Sequence, residues 1–103
     1  MTYRQNCIYF KKHIFNLIKE GKKTSTLRTY SNISKGKTVN LVCGKEEFNA
    51  IIVDKIKVYW EDIGNEIIEL EGLENKDQLK QILKECYPNK EIKKLWLIIF
   101  KII

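Results

Sequence analysis

The stretch LWLIIFKII, residues 95–103, contains the longest apolar run of the chain, which extends over the six residues 95–100. A continuous apolar run, without alternating polar residues, is typical of a strand that is buried on both faces. The run is far too short to span a bilayer. We therefore predict that the segment is the closing strand of a sheet in a protein without a membrane-spanning segment.

Four segments that precede this strand also have the composition of strands. Thr38–Cys43 alternates in polarity and is followed at 44–47 by residues typical of a hairpin turn. Residues 48–59 predict a long, bent strand, and residues 7–10 predict a short first strand or an extended lead-in. Residues 24–29 are rich in β-forming side chains. These segments predict a mostly antiparallel sheet.

Two segments have helical periodicity. Apolar residues recur at helical spacing from residue 13 to residue 18, and Gly21 ends this first helix. A second helix is predicted over Lys76–Cys86, with Asn75 as its N-cap, and residues 60–75 are predicted to be irregular. The pattern predicts an α+β fold, a small β-barrel of mostly antiparallel strands with two covering helices, in one domain over residues 1–103.

The charge of the chain favours an anionic partner. The net charge is +6, from 19 basic and 13 acidic residues, and lysine and arginine attract phosphate. The three cysteines, Cys7, Cys43 and Cys86, form no CxxC or Cys/His cluster, so we expect no metal and no cofactor. Their odd number and the lack of a signal peptide favour reduced, buried thiols in a cytoplasmic protein.

The segment GKKTSTLR, residues 21–28, contains the predicted site. The end of the first helix would place Lys22 and Lys23 in a turn. The like charges of Lys22 and Arg28, together with any burial, would lower the pKa of Lys23 and make it a usable base. A base beside a hydroxyl is the arrangement that a nucleophilic threonine needs.

The alternation of an extended strand divides the rest of the segment between two faces. Thr24, Thr26 and Arg28 would face a cavity or solvent, whereas Ser25 and Leu27 would face the core. Arg28 offers a planar fork to a phosphate, a carboxylate or a base edge. The same letters also suit an ordinary exposed turn and strand, so the residues alone leave both interpretations open.

The chain resembles the ASCH family of PUA-like barrels, named after the activating signal cointegrator homology domain. The resemblance rests on features that follow one another in order: Phe10 with the helix after it, GKKTSTLR at 21–28, Lys35-Gly36, Glu71-Gly72-Leu73, Leu79, Tyr87-Pro88 and LWLIIF at 95–100. It implies a PUA-like barrel, a fold widely associated with RNA. Where the family often has an acidic residue this chain has Lys37, and residues 90–94 (KEIKK) add charge, which favours a polyanion.

The resemblance also implies an enzymatic possibility. Small members of the family include bacterial amidohydrolases that remove the acetyl group from N4-acetylcytidine with a lysine, a threonine and a glutamate. Lys23 matches the lysine and Thr26 the threonine. Glu71 is the best match for the glutamate, and Glu69 and Glu74 are the alternatives.

Three functions remain open at this point. The first is a module that binds RNA or a modified nucleoside in a basic cleft, with Lys22, Thr24 and Arg28 as ligand-binding residues. The second is the amidohydrolase, which predicts a lowered pKa of Lys23 and a pocket that encloses one base. The third is a nuclease, which the lack of a histidine near the motif disfavours.

Four further side chains have two possible roles. Tyr59, Trp60 and Trp96 could stack on bases, although aromatic residues beside apolar strands are more often part of the core. Trp60, beside Glu61 and Asp62, is the weakest candidate for the core. His13 is predicted to lie on the inner face of the first helix.

Overall fold

The structure, a computed structural model, describes residues 6–103, and their strands form one five-stranded sheet. The strands are β1 (Cys7–Tyr9), β2 (Ser25–Arg28), β3 (Thr38–Cys43), β4 (Glu46–Tyr59) and β5 (Lys94–Ile102). Their order is β1-β3-β4-β5-β2, with β1 parallel to β3 and every other pair antiparallel. The sheet curls into a half-barrel, which confirms the predicted α+β, PUA-like class.

Three α-helices accompany the sheet. They are α1 (Lys12–Lys19), α2 (Asn65–Leu70) and α3 (Lys76–Cys86), and a short 3-10 helix covers Trp60–Asp62. The prediction for α3 is confirmed, including the cap, because the Asn75 side chain accepts a hydrogen bond from the Gln78 amide. Helix α2 was not predicted, since six residues are too few for an apolar stripe to repeat. None of the helices within residues 6–103 has the length and apolar character needed to cross a membrane.

Strand β5 separates two hydrophobic clusters. Alternate residues of β5 pack into different clusters: Trp96, Ile98 and Phe100 into the first, and Leu95, Leu97 and Ile99 into the second. Helix α1 covers the first cluster with Phe15 and Ile18, and α3 covers the second with Leu79 and Leu83. Burial on both faces is therefore confirmed up to Phe100, whereas the last residues of the chain are exposed.

Strand β4 is long and bent, as predicted. The register against β5 shifts between Ile52 and Asp54, so Val53 is an extra residue that makes a β-bulge. The hairpin that leads into β4 is tighter than expected. Because Cys43 pairs with Glu46, the turn consists of two residues, and Gly44 has the positive φ (61°) that its first position requires.

Candidate active site

The four polar or charged side chains buried within residues 6–103 all contribute to one site. Lys23, Ser25, Thr26 and Glu71 have exposed fractions of 6%, 0%, 3% and 3%. Burying such groups is unfavourable unless each finds a hydrogen-bonding partner. Their concentration in one place is typical of a functional site.

The end of α1 positions Lys23. Gly21 has a φ of 77°, and the Lys22 amide donates to the carbonyl of Leu17 at 2.9 Å. This pattern is a Schellman motif, in which the left-handed glycine ends the helix and turns the chain away from it. Lys23 follows at once, and its own amide donates to Leu17 at 3.1 Å.

The end of α2 positions Glu71 in the same way. Gly72 has a φ of 76°, and the Leu73 amide donates to the carbonyl of Ile68 at 3.1 Å. A Cβ on Gly72 would lie 2.9 Å from the carbonyl oxygen of Lys22. The two helix ends therefore pack backbone against backbone, and this contact brings Glu71 beside Lys23.

Lys23, Glu71 and Ser25 form a buried hydrogen-bonded group. The Lys23 ammonium donates to Glu71 Oε1 at 3.1 Å, and the Ser25 hydroxyl donates to Oε2 of the same carboxylate. Burial lowers the pKa of Lys23 below its ordinary value of 10.5. The charge and hydrogen bond of Glu71 oppose this shift in part, while the positive charge of Arg28 adds to it. The site thus favours a neutral amine more than water does.

Arg28 links the two outer strands of the sheet. Its Nε donates to Thr26 Oγ1 at 3.1 Å, its Nη2 donates to the carbonyl of Tyr9 in β1 at 2.9 Å, and the guanidinium lies 4.9 Å from the centre of the Phe10 ring. Burial also lowers the pKa of Arg28, and electrostatic interactions with Tyr87, Cys86 and Glu71 oppose this shift in part. Arginine nevertheless stays cationic in proteins, so Thr26 has a permanent positive charge beside its oxygen.

Apart from Ser25, these side chains line a cavity of about 420 Å³ bounded by β1, α1, β2 and α3. Its charged side chains are those of Lys11, Lys23, Arg28 and Glu71, and Thr26 adds a hydroxyl. The remaining wall is largely apolar or aromatic and includes Phe10, Ile14, Leu79, Leu83 and Tyr87. A few converging polar groups in an apolar cavity of this size are typical of a small-molecule site.

The comparisons with known proteins concern the fold. The structure superposes on the ASCH domain from Lactobacillus crispatus JV V101 with a TM-score of 0.67 and 17% identity, over 93% of this chain and 77% of that chain. The chain has an ASCH-domain fold. A second match, the ASCH S128A mutant protein from Zymomonas mobilis, has a TM-score of 0.66 and 11% identity, over 92% of this chain and 66% of that chain.

A third match is the hypothetical protein PH0355, with a TM-score of 0.68 and 18% identity, over 94% of this chain and 97% of that chain. No family model and no curated protein matches the sequence. At these identities the likeness shows the ASCH fold and leaves the activity to be argued from the site.

Within this ASCH fold, the predicted residues fall into two groups. Lys23, Thr26, Arg28 and Glu71 line one cavity. Lys22 and Thr24 are exposed and line a shallow depression outside it. Because β2 begins at residue 25, Thr24 does not take part in the strand's alternation, and its hydroxyl points to the carbonyl of Leu70 (3.4 Å).

The three candidate glutamates differ in burial and in their contact with Lys23. Glu71 is buried and contacts Lys23, whereas Glu69 and Glu74 are exposed. Glu69 lines the same shallow depression as Thr24. Of the three, Glu71 is therefore the glutamate that contacts Lys23, and its match to the family's glutamate stays a prediction.

Ser25 is the site residue that the sequence analysis missed. Alternation placed it towards the core, and it is indeed fully buried, but its partner there is the Glu71 carboxylate rather than an apolar side chain. A hydroxyl at a core-facing position is the signal that could have found it.

Two other predictions were wrong. His13 is exposed rather than on the inner face of the helix, and its Nε2 lies 3.4 Å from Glu85 Oε2. Cys86 is exposed rather than buried, although it lines the cavity.

Replacing Ser25 with alanine should lower the free energy of unfolding by about 1.5–3 kcal/mol, because a buried carboxylate loses one of its two donors. Urea denaturation followed by circular dichroism measures the change. The matched control is Ser34→Ala at an exposed loop position, which should change stability by less than about 0.5 kcal/mol. Equal stabilities for the two variants would contradict the assigned role of Ser25.

Proposed function

We propose that this ASCH-fold protein acts in the cytoplasm as an amidohydrolase that binds N4-acetylcytidine in the cavity and removes its acetyl group. The observation that supports the proposal most directly is the buried Lys23, which has a lowered pKa and shares one cavity with the Thr26 hydroxyl. A buried lysine that loses its proton more readily than a free amine can act as a general base. A base and a hydroxyl in one cavity suit acyl transfer.

In the proposed reaction, Thr26 Oγ1 attacks the acetyl carbonyl carbon and the Lys23 amine takes its proton. The hydrogen bond from Arg28 Nε stabilises negative charge on Oγ1 as the proton leaves. The Lys23 ammonium then returns the proton to N4 of cytosine, and the C–N bond breaks. Water hydrolyses the acetyl-threonine ester, which releases acetate and restores both side chains.

The geometry favours a positioning role for Glu71. Its two carboxylate oxygens accept hydrogen bonds from Lys23 and Ser25, so the carboxylate is held in place by two donors. Held in this way, it orients the Lys23 amine and stabilises the ammonium that forms when Lys23 takes the proton. Arg28 has five N–H donors, of which Thr26 and Tyr9 engage two, and the others suit a carbonyl edge of the ligand.

The test of this proposal is the incubation of the pure protein with N4-acetylcytidine, followed by the absorbance change on deacetylation. We expect turnover by the wild type and a loss of about a hundredfold or more in Thr26→Ala. Thr38→Ala removes the same hydroxyl and methyl from an exposed strand position and should keep wild-type turnover. Unchanged turnover in Thr26→Ala would exclude the threonine mechanism.

A second candidate function is the binding of RNA that carries the modified base, without hydrolysis. The net charge of +6 and the exposed Lys22 and Thr24 near the helix ends that build the site favour contact with a phosphate backbone. In this role Lys22, Thr24 and Arg28 hold the ligand. No turnover, combined with oligonucleotide affinity that falls steeply as salt rises, would favour this function over the amidohydrolase.

A further inference from the structure

A second depression lies next to the candidate active site. It has a volume of about 330 Å³, and its lining includes two aromatic residues, three lysines and one glutamate: Trp60, Tyr87, Lys80, Lys84, Lys90 and Glu91. The sequence analysis names Trp60 as a side chain that could stack on a base, and the proposed reaction gives the depression no role.

The depression and the active-site cavity share a wall. Leu83 and Tyr87 line both. The hydroxyl of Tyr87 accepts a long hydrogen bond (3.4 Å) from the Thr29 amide, just after β2. A ligand that extends from the active-site cavity past Tyr87 would therefore enter the second depression without crossing a large distance.

The chemistry of the second depression suits a nucleotide. Trp60 and Tyr87 contribute aromatic side chains to its lining, and stacking on aromatic side chains is the common way to bind single-stranded nucleic acid. Three lysines against one glutamate leave an excess of positive charge for a phosphate. An apolar peptide has no negative charge to pair with these lysines.

Trp60 is held in position before any ligand binds. The Lys76 ammonium donates to the carbonyl of Trp60 at 2.7 Å and lies 4.7 Å from the centre of its ring. The side chain also packs against the second hydrophobic cluster. A fixed indole loses little conformational entropy when a base stacks on it.

We propose that the second depression binds the nucleotide next to the modified base, so that the substrate is an oligonucleotide rather than a free nucleoside. The modified base occupies the active-site cavity, the neighbouring base stacks on Trp60 and Tyr87, and the phosphate between them contacts the lysines. This inference rests on the proposed function for the active-site cavity, but it can be tested separately because the second depression has its own residues.

The kinetic test compares free N4-acetylcytidine with a trinucleotide that contains it. We expect a kcat/KM about tenfold or more higher for the trinucleotide. The double variant Lys80→Glu/Lys84→Glu should lose this preference and keep its kcat/KM for the nucleoside, because neither lysine lines the active-site cavity. The control, Lys45→Glu/Lys101→Glu, makes the same change in net charge at exposed positions elsewhere and should keep the preference.

The binding test needs no turnover. The chain has two tryptophans, so Trp96→Phe leaves Trp60 as the only one. An unacetylated trinucleotide should quench the fluorescence of this variant. Lys80→Glu/Lys84→Glu introduced into it should raise the trinucleotide concentration needed for half-maximal quenching about tenfold.

The outcomes separate the two proposals. Hydrolysis of the nucleoside with no preference for the trinucleotide and no quenching would overturn the second site and leave the amidohydrolase standing. Lysine-dependent quenching by the trinucleotide without any hydrolysis would support the second site and reject the amidohydrolase. Quenching by an acidic peptide, but not by the trinucleotide, would overturn the assignment to a nucleotide.

Discussion

Replacing Lys23 with methionine should lower the rate of N4-acetylcytidine deacetylation about a thousandfold. Methionine keeps the length and much of the apolar character of the lysine stem, but it can neither accept the threonine proton nor return it to the leaving amine. The buried Lys23 makes its hydrogen bond to Glu71, so the change removes the proposed base and one of the two donors to the carboxylate. The measurement is the absorbance change on deacetylation, with N4-acetylcytidine as the only substrate.

Two further variants separate chemistry from folding. Lys45→Met makes the identical replacement in the exposed β3–β4 turn and should keep full activity. Lys23→Arg keeps a cation beside Glu71 but cannot lose its proton, so it should fold, as judged by circular dichroism, and remain inactive. Substantial activity in Lys23→Arg would reject Lys23 as the base.

The pH dependence of kcat/KM tests whether the neutral amine of Lys23 is the base. Because the proposed base is the neutral amine, kcat/KM should rise with pH and level off once Lys23 has lost its proton. Burial lowers that pKa, so the midpoint of the rise should lie below 10.5. Glu71 raises the pKa of Lys23, hence Glu71→Gln should move the midpoint to lower pH, and Glu69→Gln at an exposed position should not. A midpoint that moved to higher pH would contradict this interaction.

The sequence predicts the parts of this fold whose signals are local. The apolar run of β5 and the capped periodicity of α3 each lie within about ten residues, and the structure confirms both. Helix α2 has a single buried residue, Ile68, and its glycine N-cap makes no side-chain hydrogen bond. Its formation depends on packing between distant segments, which local patterns do not contain.

The candidate site likewise combines residues from one local motif with contacts between residues that are far apart in the sequence. Lys23 and Thr26 lie within one short motif, and both line the cavity. The partnership of Glu71 with Lys23 joins residues that are 48 positions apart, and the partnership with Ser25 joins residues 46 apart. Resemblance to a family pointed to Glu71, but only the meeting of two helix ends explains why Glu71 is the buried glutamate. Ser25 shows the limit of alternation, which predicts that a side chain is buried but not what it meets there.

Replacing Gly72 with alanine should lower the free energy of unfolding by about 2–4 kcal/mol, the sum of two effects. The φ of 76° is unfavourable for any residue with a Cβ. That Cβ would also lie 2.9 Å from the carbonyl oxygen of Lys22 and 3.1 Å from the amide nitrogen of Lys23, so backbone would have to move. Since this contact brings the two helix ends together, the variant should also lose deacetylation activity.

Gly21→Ala has the first effect alone, so the comparison of the two variants isolates the second. Gly21 ends α1 with nearly the same φ, 77°, but a Cβ there would meet nothing within 4 Å. We expect it to lose only about 1–2 kcal/mol, the cost of the left-handed conformation. Urea denaturation of both variants measures the difference, which is the contribution of the close approach between Gly72 and the Lys22–Lys23 peptide. If Gly72→Ala were no less stable than Gly21→Ala, the packing of the two helix ends would not be what holds Glu71 against Lys23.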